Sequence, residues 1–325
     1  MGNVICVNDL TKSYGTMLAV DHVSFDVQEG EIFGFLGPNG AGKTTTIRMM
    51  VGLTQPNSGT ALIDGHDILK EPVKVKQTIG LVPEVSNLYG ELTSFENLVY
   101  QAELYGLPRK ERRIRALKLL DEFGLKEHQE KPFRALSRGL KRRLTIAAAL
   151  IHNPKILFLD EPTTGLDVMS ARGLRKLITD SKKKGLTVFL TTHYIPEAES
   201  LCDRIAIIVK GQIRVVDTPE NIKAQVKETE ILEIGLDHIP EDLKGLLVSL
   251  DGVEKILIEE NRIRFHTRRL DQVTSPIIKS LKEHGARIQS INTLSPSLED
   301  AFVRITGLDS VSMKIDKPIK GGSES

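Results

Sequence analysis

The chain has 325 residues, and its 44 lysines and arginines against 43 aspartates and glutamates give a formal net charge of +1. This length allows about two ordinary domains, and the near-neutral charge does not favour nucleic-acid binding, for which a basic excess is typical. Hydrophobic residues make up 40% of the chain and charged residues 27%, which excludes disorder throughout. Apolar runs such as Ile146–Ile151 are far shorter than the roughly 18 residues that cross a bilayer, so an integral membrane protein is excluded too.

The cysteine content and the N-terminal residues indicate in which cellular compartment the protein works. Cys6 and Cys202 are the two cysteines, too few for a disulfide framework or a cysteine metal site. The first residues lack a positively charged start followed by a long apolar stretch, so they do not resemble a secretory signal. We therefore expect a cytoplasmic protein.

Short apolar runs alternate with helix-like stretches over the first 220 residues or so, which is typical of an α/β core. The candidate strands are Ile32–Leu36, Ile79–Val82, Ile156–Leu159, Val188–Thr191 and Ile205–Val209. Between the second and the third of these strands, Ser94–Asn153 has helical periodicity. The pattern predicts a helical subdomain, at about residues 85–153, inserted into the core.

The pattern changes near Glu228. The later candidate strands are Ile231–Leu236, Val253–Glu259, Ile263–His266 and Arg287–Ile291, and the candidate helices are Leu243–Leu250 and Leu270–His284. Their β-α-β-β-α-β order predicts a small α+β domain of the split βαβ type. We expect one domain at 1–225, a second at 226–307, and a polar, glycine-rich, disordered tail at 308–325.

A glycine-rich loop follows the first candidate strand and opens a plausible helix at Thr44–Val51. The loop matches the pattern G-x-x-x-x-G-K-[ST] with Gly37, Pro38, Asn39, Gly40, Ala41, Gly42, Lys43 and Thr44. Glycines let backbone N–H groups surround phosphates, and the helix N-terminus adds positive potential. We expect Lys43 to reach the β- and γ-phosphates, Thr44 to hold Mg²⁺, and Thr45 to contact the α-phosphate. A glycine-rich turn without a ligand would not need this strand-loop-helix setting.

Two adjacent carboxylates end the third candidate strand. Asp160 and Glu161 follow the apolar residues Ile156–Leu159, and desolvated charges at such a place are costly without partners. Beside a phosphate-binding loop, Asp160 can hold Mg²⁺ and Glu161 can act as the general base on the attacking water. Surface capping is the alternative for such a pair on its own. Together with the phosphate loop, the pair indicates nucleotide hydrolysis.

Residues 4–225 resemble the ATP-binding subunit of an ABC transporter, because further motifs occur in that family's order. Leu136–Leu140 (LSRGL) resembles the signature LSGGQ, and Thr164–Asp167 resembles the D-loop. His193 occupies the position of the switch histidine, which contacts the γ-phosphate. Tyr14 occupies the A-loop position, where an aromatic ring stacks on adenine.

The resemblance implies the fold, the partners and the mechanism. It implies a P-loop ATPase core in which two subunits sandwich two ATP molecules, so that one subunit's phosphate loop meets Ser137 and Gly139 of the other, with Asp167 nearby. It also implies a homodimer or a related ATPase partner, an integral membrane permease, and a peripheral location on the cytoplasmic face of the membrane. ATP-driven closure of the pair would power transport through the permease.

Three residues depart from the family pattern. Arg138 stands where the signature usually has glycine, and Leu140 where it often has glutamine. Glu84 stands where the Q-loop usually has glutamine. A carboxylate can still ligate Mg²⁺, so we expect Glu84 to link the bound metal to the helical subdomain.

Two segments resemble the export-type branch that includes the daunorubicin-resistance ATPases, namely Gly80–Glu84 and Leu294–Phe302. Export through a separate permease is therefore the expected function. The alternative is a soluble ABC-type ATPase that acts on ribosomes or DNA, but such relatives generally carry two ATPase halves or long coiled coils, which this sequence lacks. A P-loop kinase would leave the signature, the D-loop and the switch histidine unexplained. The transported substance stays open.

Overall fold

The computed structural model describes residues 2–225, 230–239, 252–294 and 296–308. It divides into two compact units, Met1–Pro219 and Glu220–Leu308. This division falls at the start of helix α8 (Pro219–Ala224), a few residues before the expected boundary at 225. The expected helix Leu243–Leu250 and the expected tail beyond Leu308 lie outside the described residues.

The first unit contains two sheets and the helices that pack on them. Its strands are β1 Asn3–Tyr14, β2 Met17–Gln28, β3 Ile32–Leu36, β4 Ser58–Ile63, β5 His66–Asp67, β6 Ile79–Val82, β7 Ile156–Asp160, β8 Thr187–Thr192, β9 Arg204–Val209 and β10 Gln212–Asp217. Its helices are α1 Lys43–Met50, α2 Pro72–Thr78, α3 Ser94–Leu104, α4 Arg109–Glu122, α5 Arg138–Ala149, α6 Val168–Lys183 and α7 Ile195–Leu201.

A six-stranded sheet forms the centre of the first unit, in the order β10-β9-β3-β8-β7-β6. All five early candidate strands lie in it, and its pairs are parallel except β9 with β10. Every residue of β3, β7 and β8 is buried, as expected for a parallel sheet covered on both faces. The carboxyl ends of β3, β6, β7 and β8 consequently meet at one edge, where ligands bind in such sheets.

A second, antiparallel sheet in the order β2-β1-β4-β5 completes the core. Our candidate strands did not include it. An aromatic cluster joins strands β2, β3, β7 and β8, with ring centroids 5.4–5.8 Å apart, and it consists of Phe25, Phe33, Phe35, Phe158 and Phe189. Offset aromatic pairs at this spacing add to the energy of simple burial, so the cluster holds the strands that carry the phosphate loop and the acidic pair.

The inserted segment forms helices α3, α4 and α5, which confirms the predicted helical subdomain. Thr93 and Glu96 form a capping box at the start of α3, with each side chain bonded to the other's backbone N–H. The Ser137 hydroxyl accepts a hydrogen bond from the Leu140 N–H and so starts α5. The beginning of α5 is thereby fixed within the signature itself.

The second unit has the four strands and the second helix of the predicted split βαβ order. Its strands are β11 Glu230–Leu236, β12 Val253–Glu259, β13 Arg262–Thr267 and β14 Ile288–Leu294, and its helices are α9 Leu270–Glu283 and α10 Leu298–Thr306. The sheet order is β12-β13-β11-β14, with antiparallel neighbours throughout. Apolar residues of β11, β13 and α9 form its core. Helix α10 was not predicted, although Ser297 and Asp300 form a capping box at its start.

None of the helices in the described part of the chain has the length and apolar content that a bilayer span needs.

Candidate active site

The phosphate loop joins the end of β3 to the start of α1, so its backbone must turn sharply at Gly37 and Gly42. A Cβ on Gly37 would lie 2.2 Å from the carbonyl oxygen of Ile208. Gly42 has a φ of +106°, and a Cβ there would lie 2.4 Å from the Ala19 carbonyl oxygen. Only glycine fits both positions. The other loop residues follow in sequence, Pro38, Asn39, Gly40 and Ala41 before Gly42, and Lys43, Thr44 and Thr45 in the first turn of α1.

Lys43 is buried at the start of α1, with its ammonium turned back into the loop. Its Nζ donates hydrogen bonds to the carbonyls of Gly37 at 2.8 Å and Pro38 at 3.1 Å. The same Nζ lies 3.2 Å from Oε1 of Glu161. The lysine therefore lies between the phosphate loop and the acidic end of β7, as a phosphate-binding cation requires.

Glu161 is the centre of the expected catalytic group. Its Oε2 lies 2.8 Å from Nδ1 of His193 and accepts a hydrogen bond from the Thr164 hydroxyl at 3.2 Å. Its other oxygen, Oε1, is buried and forms the ion pair with the Lys43 ammonium at 3.2 Å. Glu161 also has a φ of +47°, and strained backbone of this kind clusters at active sites.

The environment keeps Glu161 ionised. Burial raises the pKa of its carboxyl group, but the hydrogen bond with His193 and the charges of Lys43 and His193 outweigh burial, so the net pKa is lower than usual. The hydrogen bond to Glu161 raises the pKa of His193. A buried carboxylate that a neighbouring lysine and histidine keep ionised has the properties of a general base.

Thr44 and Asp160 form the candidate metal site. The Thr44 hydroxyl donates to Oδ1 of Asp160 at 3.1 Å, and the Thr191 hydroxyl donates to the same oxygen at 2.6 Å. Mg²⁺ prefers oxygen ligands such as these. The residues present therefore fit the ion, with Thr44 and Asp160 as its protein-derived holders.

Glu84 and Tyr14 are two further predicted residues of the nucleotide site. Glu84 follows β6 at the same sheet edge, and its carbonyl oxygen accepts a hydrogen bond from Arg142 at 3.4 Å. Tyr14 ends β1 with 45% of its surface exposed, and the Lys12 ammonium lies 5.4 Å from its ring centroid. An exposed aromatic ring is available for stacking.

The remaining predicted site residues form a separate group. Asp167 caps helix α6, and its carboxylate accepts a hydrogen bond from the Ser170 hydroxyl at 2.7 Å. A Cβ on Gly139 would lie 2.6 Å from that Ser170 oxygen, and one on Gly165 would lie 3.7 Å from the Arg138 guanidinium. The signature thus packs against the D-loop of its own chain. The hydrogen bonds and the ion pair of Lys43 in the described part of the chain involve Gly37, Pro38 and Glu161, and none of them involves the signature or the D-loop.

Sequence reasoning missed Arg142 as a site residue. Its guanidinium is 8% exposed and donates to the carbonyls of Asp160 at 2.6 Å and Pro162 at 2.9 Å. The sequence shows only a basic run, Lys141–Arg143, which is ordinarily a solvated helix face. No spacing signal marks the middle residue as buried.

Comparisons with known families divide the chain as the structure does. The family described as "ABC transporter" matches residues 20–164, and the family described as "ATP-binding protein DrrA1-3-like, C-terminal domain" matches residues 218–306. The linearmycin resistance ATP-binding protein LnrL of Bacillus subtilis is 35% identical over 301 residues, covering 92% of this chain and 97% of that protein. The chain belongs to the ATP-binding subunits of ABC transporters.

A second relative and two solved structures support the assignment of the chain to this family. The doxorubicin resistance ATP-binding protein DrrA of Mycobacterium tuberculosis is 36% identical over 314 residues, covering 93% of each chain. A solved ATP-binding subunit of an ABC transporter is 33% identical over 68% of this chain and 92% of its own, with a TM-score of 0.62. A dimeric ATP-binding cassette bound to ADP and phosphate is 28% identical over 66% of this chain and 98% of its own, with a TM-score of 0.61.

The family fixes the general activity of the ABC subunit. It binds ATP with Mg²⁺ and hydrolyses ATP to drive transport through a separate membrane permease. The predicted family, fold class, cofactors and partners are confirmed. The alternative of an ATPase that acts on ribosomes or DNA is not favoured, because the relatives are transporter subunits.

Proposed function

We propose that the ABC subunit powers the export of amphipathic organic compounds, such as antibiotics, from the cytoplasmic face of the membrane. The observation that carries the proposal is the full-length likeness to proteins named for linearmycin and doxorubicin resistance, at 35% and 36% identity. The likeness extends to the C-terminal domain, which matches the family described as DrrA1-3-like.

The contacts support a defined role for each residue near the β- and γ-phosphates. Lys43 holds the phosphates in the loop, Thr44 and Asp160 hold Mg²⁺, and Glu161 takes the proton of the attacking water. His193 orients Glu161 through its 2.8 Å contact and contacts the γ-phosphate. Bound Mg²⁺ would neutralise charge on the phosphates, which is its usual part in phosphoryl transfer.

The signature group supports the dimeric arrangement in which ATP lies between two subunits. Ser137 is exposed at the N-terminus of α5, where the helix dipole favours an anion. Beside Asp167, Val168 and Met169 are 79% and 72% exposed. Neighbouring exposed apolar side chains indicate an interaction surface, and a second ATP-binding subunit is the partner that would also complete the nucleotide site.

Replacement of the general base tests this mechanism. Glu161→Gln removes the carboxylate but keeps the size of the side chain, so we expect ATP binding without hydrolysis. With Mg²⁺ and ATP, the variant should elute as a dimer in size-exclusion chromatography, whereas Lys43→Ala should stay monomeric because it binds ATP poorly. Normal hydrolysis by Glu161→Gln would contradict the role of Glu161.

Transport itself needs the permease that functions with this subunit. Inside-out vesicles that contain both proteins should accumulate doxorubicin when ATP and Mg²⁺ are supplied. Vesicles with Glu161→Gln provide the matched control, because that variant is expected to assemble without turnover. ATP hydrolysis in the wild-type vesicles without uptake of doxorubicin or of linearmycin would contradict the proposed substrate class but leave the ATPase assignment intact.

A further inference from the structure

The guanidinium of Arg142 connects the ends of two neighbouring strands. It donates to the carbonyl of Asp160, the last residue of β7, at 2.6 Å and to that of Pro162 at 2.9 Å, and it donates to the carbonyls of Pro83 at 2.5 Å and Glu84 at 3.4 Å beyond β6. One side chain therefore contacts four backbone acceptors at the carboxyl ends of two strands, beside the candidate nucleotide site.

These four bonds begin where the sheet ladder stops. The last backbone pair between β6 and β7 is Val82 with Leu159, and the ladder between these two strands does not continue beyond it. Arginine suits this position because its planar guanidinium presents five donors in a fixed fork, whereas lysine offers a single rotating ammonium. Arg142 extends the connection between the strands past their ends.

Burial of the Arg142 guanidinium costs free energy unless its donors form hydrogen bonds. The side chain is 8% exposed, and burial lowers its pKa to about 10, so it remains charged at neutral pH. Asp160, Glu197, Glu84 and Glu161 oppose this lowering by their charges. A cation kept charged among these carboxylates and bonded to four carbonyls is typical of a positioning group.

We propose that Arg142 is a positioning residue that sets the spacing between Glu84 and Asp160 and thereby the affinity of the metal site. The inference rests on the proposed function, in which these two residues hold Mg²⁺. Arg142 lies three residues after Gly139 on α5, the helix that begins in the signature. A movement of α5 would therefore reach both metal-holding loops through one side chain.

Metal binding without turnover tests the proposal directly. Mn²⁺ serves as the probe, and its affinity is measured by electron paramagnetic resonance in the presence of the non-hydrolysable ATP analogue adenylyl imidodiphosphate. We expect Arg142→Lys to weaken Mn²⁺ affinity about ten- to a hundred-fold, the usual effect of removing an outer-shell partner of a metal ligand. Affinity for the same nucleotide in EDTA should stay within about twofold, because the phosphate loop is untouched.

Arg115→Lys is the matched control, since Arg115 lies in the same helical subdomain and donates to the Ile151 carbonyl at 3.2 Å, away from the metal site. It should bind Mn²⁺ like the wild type. Hydrogen–deuterium exchange in the absence of nucleotide gives a second measurement, and the amide of Glu84 should exchange faster in Arg142→Lys but not in Arg115→Lys. If Arg142→Lys does not fold, Arg142→Gln replaces it, because glutamine keeps an amide donor.

The outcomes separate the inference from the proposed function. Unchanged Mn²⁺ affinity in the folded Arg142 variant, or equal weakening in Arg115→Lys, would overturn the positioning role. If Asp160→Asn also leaves Mn²⁺ affinity unchanged, the proposed metal site itself is wrong. Weakening in the Arg142 and Asp160 variants alone supports both.

Discussion

Gly37→Ala tests the shape of the phosphate loop most directly. An alanine Cβ at this position would lie 2.2 Å from the carbonyl oxygen of Ile208, about 0.8 Å closer than the 3.0 Å below which Cβ contacts essentially never occur. Ile208 cannot yield easily, because its strand β9 is paired with β3 on one side and with β10 on the other. The loop must therefore move instead.

The size of that displacement sets the expected effect. The Gly37 carbonyl accepts a hydrogen bond from the Lys43 ammonium at 2.8 Å, so a shift of the loop also shifts the lysine that is proposed to bind phosphate. A misplacement of about 1 Å in a catalytic group can reduce the rate about 10²-fold. Overpacking also costs about 1–3 kcal/mol of folding free energy. We expect both losses in the variant.

Steady-state ATP hydrolysis with Mg²⁺ and a thermal unfolding scan measure the two effects. Gly90→Ala is the matched control, because a Cβ there meets Cβ of Arg134 at an ordinary 3.7 Å and the site is distant in sequence. A wild-type rate of ATP hydrolysis and a wild-type unfolding temperature in Gly37→Ala, equal to those of Gly90→Ala, would refute a displacement of the loop.

Three further predictions concern the pKa values and the packing around the site. In His193→Ala, the pKa of Glu161 should rise because burial is no longer offset by the histidine, so the acid limb of the pH–kcat profile should move to higher pH; an unmoved limb would contradict this. Glu197 has a pKa raised by burial, so it stabilises the fold while protonated and loses that contribution as the pH rises through its folded-state pKa. Denaturant titrations should therefore find Glu197→Gln equal to the wild type near pH 4 and about 1–3 kcal/mol more stable at high pH, and equal stability at all pH values would argue against it. Gly34→Ala would place a Cβ 2.6 Å from the sulfur of Cys202, so a loss of about 1–3 kcal/mol should be largely reversed by adding Cys202→Ala, and no reversal would exclude this contact as the cause.

The central sheet could be predicted from the sequence because its strands are continuous apolar runs. Such runs need no partner to be recognised, since a parallel strand is covered on both faces. Strand β2 was missed because the candidate strands were continuous apolar runs, whereas in β2 the buried residues Val23, Phe25 and Val27 alternate with polar ones, which is the pattern of a strand with one buried face. The antiparallel sheet depends on pairing with β1 and β4, and this pairing cannot be read from either strand alone.

The candidate site residues could be proposed from the sequence, because phosphate binding and proton transfer need particular side chains at particular places. Arg142 and Glu197 could not be predicted as buried charged residues, because their burial depends on what surrounds them. Arg142 contacts Pro83, which is 59 residues away in sequence. A basic run at the start of a helix gives no sign that its middle residue points inward. Only the packing of α5 against the strand ends decides it.

Thr191 shows how sheet register supplies what the residue types leave open. In the sequence it is merely the residue two places before His193, the candidate switch histidine. In the sheet it lies opposite Asp160, so its hydroxyl donates to Oδ1 of Asp160 at 2.6 Å and accepts a hydrogen bond from the Glu161 N–H at 3.1 Å. One threonine thus fixes the candidate metal ligand and the backbone of the candidate base. Because this arrangement follows from the parallel pairing of β7 with β8, a one-residue slip of that register would turn the Thr191 side chain to the other face of the sheet and separate it from both acids.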